Sequence, residues 1–299
     1  VNRRTDADGQ AEIGTALPPR PPVGQIGLRR RLLEARAPLE ALAFFGLQPL
    51  LRLTHLTGER HTVLVLPGGM SDDKATVFLR WALRAQGYDA HGWGLGMNMG
   101  PNEEVLAGMH ARVRELYREH DSKITLIGWS LGGIYARMLA RDLPDLVRRV
   151  ITLGSPFRMI EADDFAPFGR ARWDRFVEEH AEDVDLMRTH EHDRPPITVP
   201  TTAIYSRTDG MAPWQLSIDE VGPHAPNPRA ENVEVRGSHI GLASNPSVAV
   251  VIFDRLAQPE DAWSPFRPIP ALAHFYPPPA TWIHPVHHPV RLRKSRGRP

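Results

Sequence analysis

Between Ile124 and Arg137 the chain reads Ile-Thr-Leu-Ile-Gly-Trp-Ser-Leu-Gly-Gly-Ile-Tyr-Ala-Arg, and this stretch leaves few ways to fold. Ile124, Leu126 and Ile127 form a short apolar run suited to a strand buried on both faces, while Leu131, Ile134, Tyr135, Met138 and Leu139 recur at helical spacing. No loop fits between them. Gly128-Trp-Ser-Leu-Gly132 must therefore turn sharply from strand to helix with Ser130 at the apex, and side chains two residues either side of it would collide across the turn. A serine held this way is exposed on a fixed backbone. The first N–H groups of the helix, from Leu131 onward, have no partner within it and point at whatever is attached to Ser130. A G-x-S-x-G pattern also occurs in ordinary turns, but the strand and helix on either side of it predict a nucleophile, with Leu131 as one oxyanion donor.

The rest of the chain alternates in the way this unit requires. Thr62 to Gly69 reads as a buried strand ending in a Pro-Gly-Gly turn, Lys74 to Gln86 as a helix, and Gly87-Tyr88 as the start of the next strand. Val105 to Glu119 reads as an amphipathic helix leading into the Ser130 strand, and Val147 to Leu153 and Thr201 to Tyr205 as further strands. The expected fold class is α/β: a mostly parallel central sheet, helices on both faces, ligands bound beyond the carboxyl ends of the strands, and a helical cap or lid insertion. That insertion spans 154–200, where the alternation stops and a charged helical stretch runs from Arg170 to His190; an ordinary surface insertion is the alternative. The expected organisation is a flexible arm over 1–24, an N-terminal helical segment over 25–58, the α/β domain over 59–258, and a Pro-rich extended segment over 259–299. The 25–58 segment packs on the domain in the plainer reading. In the sharper one, its Arg29-Arg30-Arg31 face beside Phe44-Phe45 rests on a membrane surface.

A serine hydroxyl needs a histidine to take its proton, and the histidine needs a carboxylate to fix its tautomer. In this kind of sheet they follow the nucleophile in the order acid, then histidine. Asp209 lies in a loop after Thr201-Thr-Ala-Ile-Tyr205, with Gly210 and Pro213 beside it; His239 lies between glycines after a short Val233-Glu-Val235 strand. Asp163, Asp164 and Asp219 remain alternative acids, Asp254 follows the histidine and is disfavoured by order, and His190, His192 and His224 lack a preceding strand. The second oxyanion donor is expected in the turn after the first strand: Gly69 N–H, with Met70 in reserve. Trp129, Phe157 and Met211 are expected to wall the substrate pocket.

Composition excludes several classes of function. Lys and Arg total 36 against 35 Asp and Glu, a net charge of +1 that gives no electrostatic footprint for nucleic acid. With no cysteine, disulfides, thiolate metal sites and thiol nucleophiles are excluded together. His284-Pro-Val-His287-His288 lacks carboxylates and regular ligand spacing, so no metal is expected. No stretch approaches the roughly 18 apolar residues of a membrane span. The N-terminus lacks a secretion signal, which favours the cytoplasm over secretion, although Val at residue 1 is what a trimmed start would leave.

Taken together, Leu66-Pro-Gly-Gly69, Gly128-Trp-Ser-Leu-Gly-Gly133, Leu153-Gly-Ser-Pro156, Asp209-Gly-Met-Ala-Pro213 and Gly237-Ser-His239 resemble the α/β-hydrolase fold superfamily. The likeness runs from about Arg60 to Leu256. The segments His91 to Pro101 and Gly237 to Pro246 are similar to bacterial esterase and lipase-like members. The resemblance implies a carboxylic ester hydrolase with Ser130, Asp209 and His239 as nucleophile, acid and base and no cofactor, acting on a small-molecule or lipid ester. It equally admits an acyltransferase, amide or thioester cleavage by the same triad, or an inert scaffold that binds a partner. Trp129 stands where many true lipases have His, a variant also seen in soluble carboxylesterases, and Pro67 stands where many relatives have the His of a His-Gly turn.

Overall fold

A computed structural model describes residues 26–53, 58–158, 191–222 and 225–281. The 1–24 arm, the Arg170 to His190 stretch of the expected cap, Asp163, Asp164, His224 and the His284 to His288 cluster lie outside the described residues. Strands β1 (Thr62–Leu66), β2 (Asp89–Gly92), β3 (Ile124–Trp129), β4 (Val147–Leu153), β5 (Thr201–Tyr205) and β6 (Ala230–Glu234) form one six-stranded sheet in the order β2-β1-β3-β4-β5-β6. Every pairing is parallel, with β1 and β3 in register from Val63↔Thr125 to Leu66↔Gly128. From β1 the chain steps outward to β2, and from β3 it steps the other way to β4. The loops leaving β1 and β3 therefore diverge, opening a crevice at the carboxyl end of the sheet. The Pro-Gly-Gly turn and Ser130 stand on its two sides.

Parallel strands need crossovers, and helices supply them on both faces. Among the described residues the helices are α1 (Leu28–Leu32), α2 (Ala37–Gly46), α3 (Gln48–Leu53), α4 (Val77–Ala85), α5 (Glu103–His120), α6 (Leu131–Asp142) and α7 (Pro246–Ala257). Alternate strand residues feed the two layers. Val63, Val65, Ile127 and Ile151 pack with Leu79 and Leu83 of α4 and with Val248, Val251 and Ile252 of α7. Leu64, Leu66, Leu126 and Val150 pack with Met109, Val113 and Leu116 of α5 and with Tyr135 and Leu139 of α6. Asn102 and Asn245 fix where α5 and α7 begin, accepting N–H groups of the first turns at 2.8 Å and 2.9 Å; Pro246 occupies the first helical position of α7.

Residues 28–53 form a helical layer beside α4 and α7. Phe44 is fully buried in the core, so only Phe45 of the Phe44-Phe45 pair reaches the surface, edge-on to Phe78 at 4.6 Å. The last strand begins three residues earlier than its apolar pattern predicts. Glu231, Asn232 and Glu234 are buried because each has partners: Glu231 accepts from Thr202 and Arg255, Asn232 donates to the Asp219 carbonyl, and Glu234 accepts from Tyr205. The Pro-rich segment runs along this edge, where Phe266 N–H donates to Glu231 and Ala280 N–H to the Tyr205 hydroxyl. Chain laid over an outer strand blocks further pairing there.

Candidate active site

Ser130 has φ +53° and ψ −121°, a region that non-glycine residues occupy only when the surroundings enforce it. Here they do. The Ser130 N–H donates to the Leu153 carbonyl (2.9 Å), and its own carbonyl accepts from Gly133 (3.0 Å). A methyl group on Gly128 would run into the Gly132–Gly133 backbone, and one on Gly132 into the Leu66 carbonyl. The turn is thus closed against the end of β1, as the spacing of small residues predicts.

His239 Nε2 lies 3.0 Å from Ser130 Oγ, and its Nδ1 lies 2.6 Å from Asp209 Oδ2. His239 and Asp209 are both buried, at 4% and 3% exposure, so neither charge is screened by water. The other Asp209 oxygen accepts the N–H groups of Met211 (2.8 Å) and Ala212 (2.7 Å), which fixes the carboxylate plane. Nδ1 then donates to Asp209 and Nε2 is left to accept from the serine hydroxyl. Burial is the largest influence on the imidazole and disfavours its charge. Asp209 in direct hydrogen bond, and Glu34 beyond it, outweigh that and lift the His239 pKa above the ordinary histidine value. The alternative acids are engaged elsewhere: Asp219 accepts from Arg137 (2.8 Å) and Thr201 (3.0 Å), and Asp254 pairs with Arg255.

The turn expected to supply the second oxyanion donor needs one correction. Met70 has φ +58°, and its N–H is already donated to the Asn98 carbonyl at 2.7 Å, so the reserve donor is committed and Gly69 is the loop's candidate beside Leu131. Gly69 packs toward the Leu131 side chain, where a methyl group on it would come within 3.4 Å. Asn98 was not foreseen as a site residue. It is fully buried, donates its amide to the Pro67 carbonyl (3.0 Å), accepts from the Tyr135 hydroxyl (3.3 Å), and donates its backbone N–H to the Ser71 carbonyl (2.8 Å). It holds the shape of the 67–71 turn. The one signal for it was a lone amide among Gly and Met in the 91–101 segment.

The expected pocket residues differ in placement. The Trp129 indole N–H donates to the His239 carbonyl (3.0 Å), so this side chain ties the histidine loop to the serine turn. Phe157 is buried, with the Arg137 guanidinium stacked on its ring at 3.9 Å, and belongs to a small core cluster with Ile134 and Ala203. Met211 is exposed next to Asp209. Among the described residues, Asp89, His91 and His120 place potential metal-ligand atoms within 4.8 Å of one another. They are hydrogen-bonded among themselves on the edge strand β2 and the end of α5, two strands from Ser130.

The parallel order, the strained serine turn and the loop positions define the α/β-hydrolase fold, and a family model for that fold matches residues 103–192. Some solved structures are similar to this chain at low identity. One is a metagenome-derived lipolytic enzyme, 18% identical over 67% of this chain and 92% of the other, with a TM-score of 0.48. Another is a pyrethroid hydrolase from Sphingobium faniae, 18% identical over 68% of this chain and 100% of the other, TM-score 0.49. A third is a Bacillus licheniformis lipase in its mature form, 16% identical over 66% and 91%, TM-score 0.44. No curated protein matches the sequence.

Proposed function

We propose that the protein is a serine carboxylic ester hydrolase. The observation that carries this reading is the unbroken chain of contacts from Ser130 Oγ through His239 to the buried Asp209 carboxylate, at 3.0 Å and 2.6 Å. Ser130 Oγ attacks the ester carbonyl as its proton passes to His239 Nε2, and the N–H groups of Leu131 and Gly69 receive the developing oxyanion. The imidazolium, stabilised by Asp209, returns the proton to the departing alcohol and leaves an acyl-serine. Water then gives a proton to His239 and attacks the acyl carbon, releasing the acid and regenerating Ser130. No cofactor is needed in any step.

The residues following each loop component are apolar and exposed: Met70 after Gly69, Met211 after the Asp209-Gly turn, and Ile240 after His239, with Met97 and Met99 in the adjoining loop. Flexible thioether side chains adapt to varied apolar shapes, which supports esters of apolar acids as substrates. The test is hydrolysis of p-nitrophenyl esters from acetate to palmitate by the wild type and Ser130→Ala. Activity is expected to vanish in the variant without loss of folding, because the serine makes no core contact that alanine lacks. A variant that keeps wild-type turnover would overturn the assignment, as would a folded wild type that neither turns over any ester nor reacts with a serine-directed phosphonate.

A further inference from the structure

The histidine and acid loops are bonded to the N-terminal helical segment through two carboxylates that lie far from them in sequence. Glu34, in the 3-10 turn Leu33–Arg36, accepts the N–H groups of Gly210 (2.8 Å) and His239 (2.8 Å) on Oε1 and of Ile240 (3.0 Å) on Oε2. Glu40, on α2, accepts the Ser238 N–H (2.9 Å) and the Ser238 hydroxyl (2.7 Å). Arg36 lies between the two, paired with Glu40 at 2.8 Å and donating to Thr208 Oγ1 at 2.6 Å. Consecutive backbone amides 238 to 240 and the amide beside Asp209 thus converge on two anions.

We propose that Glu34 and Glu40 are positioning residues that lock the Asp209 and His239 loops into their reactive arrangement, making residues 28–46 part of the active-site support. This rests on the reading of Ser130, His239 and Asp209 as an ester-hydrolysing triad. The main chain of His239 is held at both ends, its N–H by Glu34 and its carbonyl by the Trp129 indole. With the backbone pinned, rotation about two side-chain torsions is all that separates the imidazole from Ser130. The fit is mutual. A methyl group on Gly210 would collide with the Arg30 carbonyl and the Glu34 side chain, and one on Gly241 with the Glu40 carboxylate, so both loops carry glycine where this segment approaches. Three N–H donors converging on one side chain call for a carboxylate, since an amide would turn its own NH2 toward one of them. The charged groups facing His239 are Asp209 from the loop after β5 and Glu34 from the N-terminal turn; the serine turn contributes only Ser130 and Trp129, which are uncharged.

The test compares wild type, Glu34→Ala, Glu34→Gln and Glu40→Gln in the full chain, with Ser130→Ala as the control for the triad. Steady-state kinetics on the best p-nitrophenyl ester are followed across pH, and thermal unfolding is measured in parallel. Glu34→Ala is expected to lower kcat about 10- to 100-fold with KM nearly unchanged, the signature of misplaced reacting groups. Glu34→Gln keeps Oε1 and is expected to lose less turnover. Both variants remove a negative charge that favours the imidazolium, so the acid limb of kcat/KM moves to lower pH. A merely structural role would lower the amount of folded enzyme and leave that limb in place. Wild-type kcat and an unmoved acid limb in folded Glu34→Gln would overturn the proposal while Ser130→Ala remains inactive; activity surviving in Ser130→Ala would instead overturn the triad reading beneath it. Should Glu34→Ala fail to fold, Glu34→Gln decides the matter by both readouts and Glu40→Gln by the loss of kcat alone.

Discussion

At the scale of single residues, the site divides into side chains dictated by local sterics and side chains dictated by distant partners. Ser130 belongs to the first kind. The glycines at 128 and 132 are needed because backbone occupies the space a methyl group would take, and that need shows as a spacing in the sequence. Asp209 and His239 were legible through chain order and through the strands that precede them. Asn98, Glu34 and Glu40 were not legible, because asparagine and glutamate are common on surfaces and the loop residues they hold lie 27 to 206 residues away. Met70 shows the same limit, since only the fold reveals that Asn98 has claimed its N–H. For Asp209, whose second oxygen is already filled by two backbone N–H groups, Asp209→Asn keeps the shape but can turn an NH2 toward Nδ1. It is expected to cost on the order of 10³- to 10⁴-fold in kcat with little loss of stability, measured on the same ester with unfolding in parallel.

At the scale of elements, the strands and helices that carry apolar periodicity appear where that periodicity places them, whereas those that carry charge do not announce themselves. Helix α5 was read as 105–119 and spans Glu103–His120, because the Asn102 cap sets its start two residues earlier. Strand β6 was read short because its glutamates look like loop until Thr202, Tyr205 and Arg255 are brought beside them. The turn over 67–71 is an element in its own right, shaped from outside by Asn98. Removing that side chain leaves the Pro67 carbonyl buried without its donor and the Tyr135 hydroxyl without its acceptor. Asn98→Ala is therefore expected to lose roughly 2–3 kcal/mol of stability and about tenfold in kcat, the latter because the 67–71 turn, the proposed source of an oxyanion donor, is loosened. Denaturant unfolding and steady-state kinetics on one preparation check both; an unchanged kcat would show that the turn holds its shape without the amide.

At the scale of the whole molecule, the carboxyl end of the sheet carries the candidate site and the opposite end carries buried arginines. His61, at the start of β1, lies between the Glu59 carbonyl (3.1 Å) and Thr125 Oγ1 (2.8 Å). Burial, chiefly, with Arg148 and Arg149 nearby, pushes its pKa down to about 4. A histidine that protonates less readily folded than unfolded contributes stability that is whole above about 6.5 and is withdrawn as pH falls toward 4. The loss amounts to on the order of 2–3 kcal/mol. Unfolding free energies from pH 7 to 4 should fall more steeply for the wild type than for His61→Gln, which can keep both hydrogen bonds without titrating. The carboxylate bridge from residues 34 and 40 to residues 238–240 has a consequence in time as well as in space. Its partners lie near opposite ends of the described chain, 205 residues apart for Glu34 and His239, and closing so long a loop belongs late in folding. On the ribosome, the segment that bears Glu34 and Glu40 emerges before the histidine loop and waits until that loop has been made. A loop synthesised about 200 residues later thereby completes a fastening whose other half is already laid down.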